Sequence, residues 1–187
     1  MLPLAALLTA GTWSPMRDLE ITVDTLWDGT PAEPSEVVHV RLGDGGDHLI
    51  LTVDAPFHAD PPPIEARGST WRLWNHEVVE LFVLGMNDRY LEVEVGPHGH
   101  YIVLQLDGAR NPVQTHLPLD LDARIEGERW TATARIPRTY LPLGADRINV
   151  TAIHGTGEER RYLSWQELPG NGPDFHRIER FGRVELP

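Results

Sequence analysis

"RWTATARIP", residues 129–137, sets Trp130, Ala132, Ala134 and Ile136 at every second position, with Thr131, Thr133 and Arg135 between them. Two residues is the repeat of an extended strand, whose successive side chains point to opposite faces. The stretch therefore reads as a strand with one face in a core and the other toward water.

The same period runs outward through the chain. "YLEVEV" (90–95) puts Leu91, Val93 and Val95 on one face and Tyr90, Glu92 and Glu94 on the other. "LEITVDTLW" (19–27) carries Leu19, Val23 and Leu26 in a strand-like run. "EVVHVRL" (36–42), the turn "GDGGD" (43–47) and "HLILTVDAP" (48–56) read as a hairpin. "RINVTAIHG" (147–155), "RRYLSW" (160–165) and "FGRVEL" (181–186) complete a set of short strands. The 17 glycines and 16 prolines interrupt these runs at the close spacing of antiparallel all-β domains. No segment sustains a 3.6-residue apolar repeat, and "IPRTYLPL" (136–143), bracketed by Pro137 and Pro142, has room for one helical turn. The expected fold is all-β: a single-domain antiparallel β-sandwich or jelly roll over residues 16–187. Residues 55–75, with Pro61, Pro62 and Pro63 in succession, read as an extended loop.

Charge narrows the partners. With 28 acidic against 16 basic residues, the net charge of −12 repels a phosphate backbone or an anionic membrane, so neither nucleic acid nor a membrane is expected as partner. No apolar run reaches the roughly 20 residues of a membrane span. The absence of cysteine excludes disulfides, thiolate nucleophiles and cysteine-ligated metals. Residues 1–15, "MLPLAALLTAGTWSP", read as an N-terminal extension, with Met16 as an alternative start. A weak signal peptide is the competing view, since the apolar run has no basic residue ahead of it; the expected location is cytoplasmic. No G-x-S-x-G, P-loop, H-E-x-x-H or dinucleotide fingerprint is present.

Chemistry concentrates around "LWNHEVVELFV" (73–83). Glu80 shares a strand face with Val78 and Phe82. An ionised carboxylate there costs several kcal/mol unless paired or hydrogen-bonded, so Glu80 either meets an arginine or faces a polar cleft. If "YLEVEV" is the neighbouring strand, Glu92 and Glu94 join it as an acidic cluster. That cluster is either a solvated outer face or a row of acceptors for sugar hydroxyls or a hard cation such as calcium. Trp71 and Trp74, in the loop ahead, could stack on the apolar face of a sugar. Several of the nine histidines fall where strands become loops: His76 beside the carboxylate strand, His98 at the tip of "GPHGHY" (96–101), His154 in "AIHG" (152–155) and His176 in "PDFH" (173–176). His98 and His100 form a His-x-His pair, but Gly99 makes a turn between them, and no metal site is expected there.

The succession "LWNHEVVELFV", "YLEVEVGPHG", "WTATARIP", "INVTAIHG", "YLSW" and "FGRVEL" resembles the family 9 carbohydrate-binding module and the wider DOMON-like sandwiches, from about Trp71 to Leu186. The phrases "PF…DPP", "LW…EVVE", "YLEVE…PHG", "AIHG" and "PDFH" are similar to a family that includes the human chromosome four open reading frame thirty-three protein, across nearly everything from Met16 onward. The first resemblance implies a site in which two aromatic rings sandwich a sugar and a glutamate binds its hydroxyls. Trp74 and Glu80 match the first ring and that glutamate. Where the module has an arginine this chain has Glu94, and the second ring would have to be Phe175 or His176. DOMON-like domains also hold haem through a methionine and a histidine, roles that Met86 and His154 could fill. Neither haem nor any other cofactor is expected, with a structural calcium the one exception considered.

The expected function is binding of a saccharide or small polar metabolite by Trp74, His76, Glu80, Glu92, Glu94, His98, His154, Phe175 and His176. The rival is an enzyme on the same scaffold, using a carboxylate pair and a histidine for acid–base chemistry on a sugar-like substrate. Ligand identity, catalysis and oligomeric state are not readable from the sequence.

Overall fold

The structure is a computed structural model and describes residues 18–187. The expected extension over residues 1–15 and the alternative start at Met16 lie outside the described residues. In chain order the strands are β1 (Leu19–Val23), β2 (Val38–Asp44), β3 (His48–Pro56), β4 (Gly68–Ser69), β5 (Val78–Leu84), β6 (Arg89–Val95) and β7 (His100–Asp107). They continue as β8 (Pro112–Gln114), β9 (Asp120–Glu126), β10 (Arg129–Pro137), β11 (Arg147–His154), β12 (Arg161–Ser164) and β13 (Gly182–Arg183). The front sheet runs β1-β2-β3-β10-β9. The back sheet runs β12-β11-β5-β6-β7-β4, with β13 beside β11 and β8 beside β7. Every pairing is antiparallel except the two-residue β4 against β7. The expected antiparallel β-sandwich is the fold. Helical structure among the described residues is confined to three-residue 3-10 turns, including Arg138–Tyr140 between the two prolines that bracket it.

Alternation explains the central layer. From the front sheet, Val40, Leu42, Leu51, Val53, Trp130, Ala132, Ala134 and Ile136 point inward; from the back sheet, Val79, Leu81, Val83, Leu91, Val93, Val95, Ile148 and Val150 meet them. Burying each large aliphatic side chain contributes about 1.5–3 kcal/mol, which outweighs any local preference of the short strands. Trp165, just after β12, packs half-buried against the edge of this layer.

The back sheet has a second covered face, and this positions the site. All seven residues of β5 are buried. Its outer face carries Val78, Phe82 and Leu84, which join Tyr90, Ile102, Leu104, Leu168, Phe175 and Phe181 in a second apolar cluster, with Trp74 and Tyr162 packed on it. Leu73 and Trp74 ahead of β5, with Leu168, Phe175 and Phe181 of the C-terminal loops, supply this cover. A strand buried on both faces reads as a continuous apolar run rather than an alternation, which is why "EVVELFV" looked out of place with carboxylates in it.

Candidate binding cleft on the back sheet

Register places three glutamates inside that second layer. On β5, Glu80 lies opposite Glu94 of β6 and opposite Thr151 of β11, while Glu92 lies opposite Phe82. Side chains two apart share a face, so Glu80, Glu92 and Glu94 project together, and one oxygen of each lies within 4.8 Å of the others. The solvated-face alternative is corrected here: their exposures are 2%, 3% and 0%. Nor does Glu80 meet an arginine in a salt bridge. Thr151 Oγ1 donates to its Oε2 at 2.6 Å. Glu92 Oε2 and both oxygens of Glu94 have no hydrogen-bond partner among the described residues. Burial holds all three carboxyls well above the ordinary carboxylate range, and repulsion from Glu80 adds to this for Glu92 and Glu94.

Above these carboxyls opens a cleft of about 360 Å³. Glu80, Glu92 and Phe82 line its floor, the strand face, while loops bring Trp71, Trp74, Tyr162, Phe175, Arg110 and His176 around it. The aromatic rings stand in two edge-to-face pairs, Trp71 with Trp74 at 5.3 Å and Tyr162 with Phe175 at 6.2 Å between centroids. Trp71 is 45% exposed. Arg110 Nη2 donates to Asp174 Oδ1 at 2.6 Å, and the same oxygen accepts the His176 backbone N–H at 3.1 Å. The Tyr90 hydroxyl accepts the Arg110 backbone N–H at 3.1 Å and lies 2.6 Å from His176 Nδ1. In the tautomer with the imidazole proton on Nε2, the hydroxyl donates its own proton to Nδ1. Burial, then the Arg110 charge, pushes His176 down to about 4, so the ring is neutral near physiological pH.

Of the residues singled out in the sequence, Trp74, Glu80, Glu92, Phe175 and His176 line this cleft, and Glu94 touches its floor from within the carboxyl cluster. Three histidines are not with them. His76 reaches away, Nδ1 to the Pro61 carbonyl at 3.0 Å. His98 sits at the β6–β7 turn with its ring edge against Phe57. His154 stacks on His58 at 3.6 Å and bonds Glu36 at 3.1 Å. Being at a strand-to-loop junction did not suffice, because the two ends of the sandwich are different places. The same reason separates the haem pair: Met86 follows β5 and His154 lies beyond its start across β11, so the seven-residue strand puts roughly 23 Å between them. His100 is buried and bonds the Glu65 carbonyl at 3.0 Å. Among the described residues, the three glutamates are the group with donor spacing suited to a cation.

Arg110, Tyr162, Asp174 and Tyr90 entered the site without being singled out for it. Loop residues such as Arg110, in "DGARNP", carry no periodicity that could have announced them. Glu77, the other carboxylate of "LWNHEVVELFV", has a structural task. It accepts backbone N–H groups from His58 at 3.1 Å and Asp60 at 3.4 Å, pinning the proline-rich loop, and burial raises it to about 7.

No family model matches the chain. It is 42% identical over 164 residues to the UPF0462 protein C4orf33 homolog of Danio rerio, a match covering 83% of each chain. To the UPF0462 protein C4orf33 of Homo sapiens it is 36% identical over 172 residues, 87% of this chain and 86% of that one. Among solved structures, a candidate carbohydrate-binding protein from Bacteroides uniformis superposes with a TM-score of 0.69 at 19% identity, covering 88% and 84% of the two chains. A family 9 carbohydrate-binding module from Caldicellulosiruptor kristjanssonii, in complex with glucose, gives 0.56 at 14% identity, covering 88% and 82%. At such identities the likeness is one of fold.

Proposed function

We propose, for a chain that belongs to the UPF0462 protein C4orf33 family, that the back-sheet cleft binds a saccharide or a small polar metabolite of similar size. One observation carries this: an aromatic-walled cleft of about 360 Å³ opens over the buried Glu92, whose Oε2 has no hydrogen-bond partner among the described residues. That volume lies in the range of small-ligand sites, roughly 300–1,000 Å³, as does the pattern of apolar walls with a few convergent polar groups. Trp71 and Trp74 offer faces for an apolar ring surface, and Glu80 and Glu92 offer hydrogen-bonding oxygens beneath. The family 9 module of similar fold was solved with glucose and with cellotriose, which supports a saccharide as the first class to try. Isothermal titration with mono- and disaccharides tests this, alongside Glu80→Gln. That variant retains an acceptor for Thr151, so the fold should persist while binding weakens at least tenfold. A well-folded variant with unaltered affinity would remove Glu80 from the site.

A second function has one observation in its favour. Buried carboxyls held above their ordinary range are groups that can deliver a proton near neutral pH. The oxygens lie within 4.8 Å of one another, however, whereas glycosidase carboxyls flank the scissile bond at roughly 5–9.5 Å. Release of nitrophenol from a panel of nitrophenyl glycosides, abolished in Glu92→Gln, would put catalysis first.

A further inference from the structure

We infer that the ligand of this cleft is positively charged: an organic ammonium, such as an amino sugar, whose nitrogen is held over Glu80 and Glu92 while the aromatic walls enclose the carbon around it. This rests on the cleft being a ligand site and adds the charge of what fills it. Three observations meet here.

The first is uncompensated acceptor chemistry. Glu92, 3% exposed, lines the cleft, and among the described residues neither its Oε2 nor either oxygen of the neighbouring Glu94 has a hydrogen-bond partner. The second is that the two arginines near the cluster are hydrogen-bonded to other groups. The chain contains no lysine; every basic residue is an arginine. Arg110 at the rim pairs with Asp174, and Arg160 directs its guanidinium to the carbonyls of Trp74, Asn75 and Gly155 and over the Tyr162 ring. The third is the wall. Trp71, Trp74, Tyr162 and Phe175 present aromatic carbon around the acidic floor, an environment that attracts an organic cation through the ring quadrupoles. A hard metal ion would instead require six to eight oxygen ligands, several of them water, where this cleft supplies rings.

A neutral hydroxyl suits these carboxyls only while they keep their protons; once they are ionised, like charges within 4.8 Å repel one another. A positive nitrogen removes that repulsion. The groups facing the cluster are Thr151 from β11, Arg160 and Tyr162 ahead of and within β12, Arg110 from the β7–β8 loop, and Asp174 and His176 from the C-terminal loop. The carboxyls hold protons on their own and release them to the solvent when the ammonium arrives, so affinity rises with pH while the ligand amine stays charged.

The test compares ligands of one shape and different charge: glucosamine, glucose and N-acetylglucosamine, with tetramethylammonium and calcium chloride as cations without the ring. Titrations at pH 6.5 in buffers of different ionisation enthalpy count the protons released. Glucosamine should bind at least tenfold more tightly than either neutral sugar, with net proton release, and Glu92→Gln should erase that preference. Glu94→Gln, isosteric and without a charge to bury, provides the second variant should Glu92→Gln fold poorly. Glucose binding as tightly as glucosamine would overturn the charge inference and leave the saccharide site standing. Calcium alone stabilising the protein would overturn it in favour of a metal. No binding by any probe, with Trp74→Ala changing nothing, would overturn both the charge and the site.

Discussion

Glu80 and Glu94 face each other directly across β5 and β6, 2% and 0% exposed, and neither accepts a hydrogen bond from an arginine. Like charges directly opposite in a sheet are destabilising, and in a covered layer the cost is greater because water cannot screen them. The pair is tolerable because it holds protons, and Thr151 Oγ1 donates to Glu80.

Stability should therefore fall on the alkaline side. Glu77, held at about 7, and Glu80, Glu92 and Glu94, all raised, bind protons in the fold that the unfolded chain has already lost. Their contribution is complete below the ordinary carboxyl value near 4.5 and is lost as pH rises through the folded values. His154 and His176, pushed down to about 4 chiefly by burial, act in the opposite sense, but only between that value and 6.5. Above 6.5 the carboxyls act without that opposition, so Tm should drop between pH 6.5 and 9 at about 2–4 °C per kcal/mol lost, and Glu94→Gln should flatten the drop. A Tm rising steadily to pH 9 would contradict the burial of these groups.

Trp71→Ala separates binding from folding. With 45% of the residue exposed, its truncation should change stability by no more than about 0.5–1 kcal/mol. Ligand affinity should fall about tenfold if the ring is a stacking platform, since anchors of this type each contribute about 1–2 kcal/mol or more. Unchanged affinity would assign the stacking to Trp74 alone.

Arg161 is the partner that Glu36 depends on. Two guanidinium nitrogens bond the two Glu36 oxygens at 2.7 and 3.0 Å, and Glu36, 6% exposed, is held down to about 2 chiefly by this bond. Arg161→Met should cost about 2–3 kcal/mol in urea unfolding, less than a fully buried pair because the arginine is partly wetted. The double variant with Glu36→Gln should recover part of that loss, and additive losses would argue against the coupling.

Tyr90→Phe removes the hydroxyl that receives the Arg110 N–H and orients His176. A buried donor left unpaired costs about 1–3 kcal/mol. His176 should also lose its tautomer preference, visible as a changed pattern of its ring nitrogen resonances. Resonances that stay as they were would show that packing against Phe82, rather than the hydroxyl, holds the ring.

The strands, their inward faces and the sandwich were legible in the sequence, because a two-residue repeat such as that of Trp130, Ala132, Ala134 and Ile136 is a local property that burial enforces at every step. The shared face of Glu92 and Glu94 was legible for the same reason. What the repeat could not say was whether that face was wet, since this depends on which segment lies over it. Leu168, Phe175 and Phe181, far along the chain beyond the end of β6 at Val95, provide the cover. Nor could it assign histidines to one end of the sandwich or the other: His154 and His176 are 22 positions apart in the chain, yet one stacks on His58 and the other bonds Tyr90. Alternation within a strand is decided by the backbone alone. The meeting of Glu80, Trp74, Arg110 and Phe175 depends on sheet register and loop closure, which only the folded chain supplies.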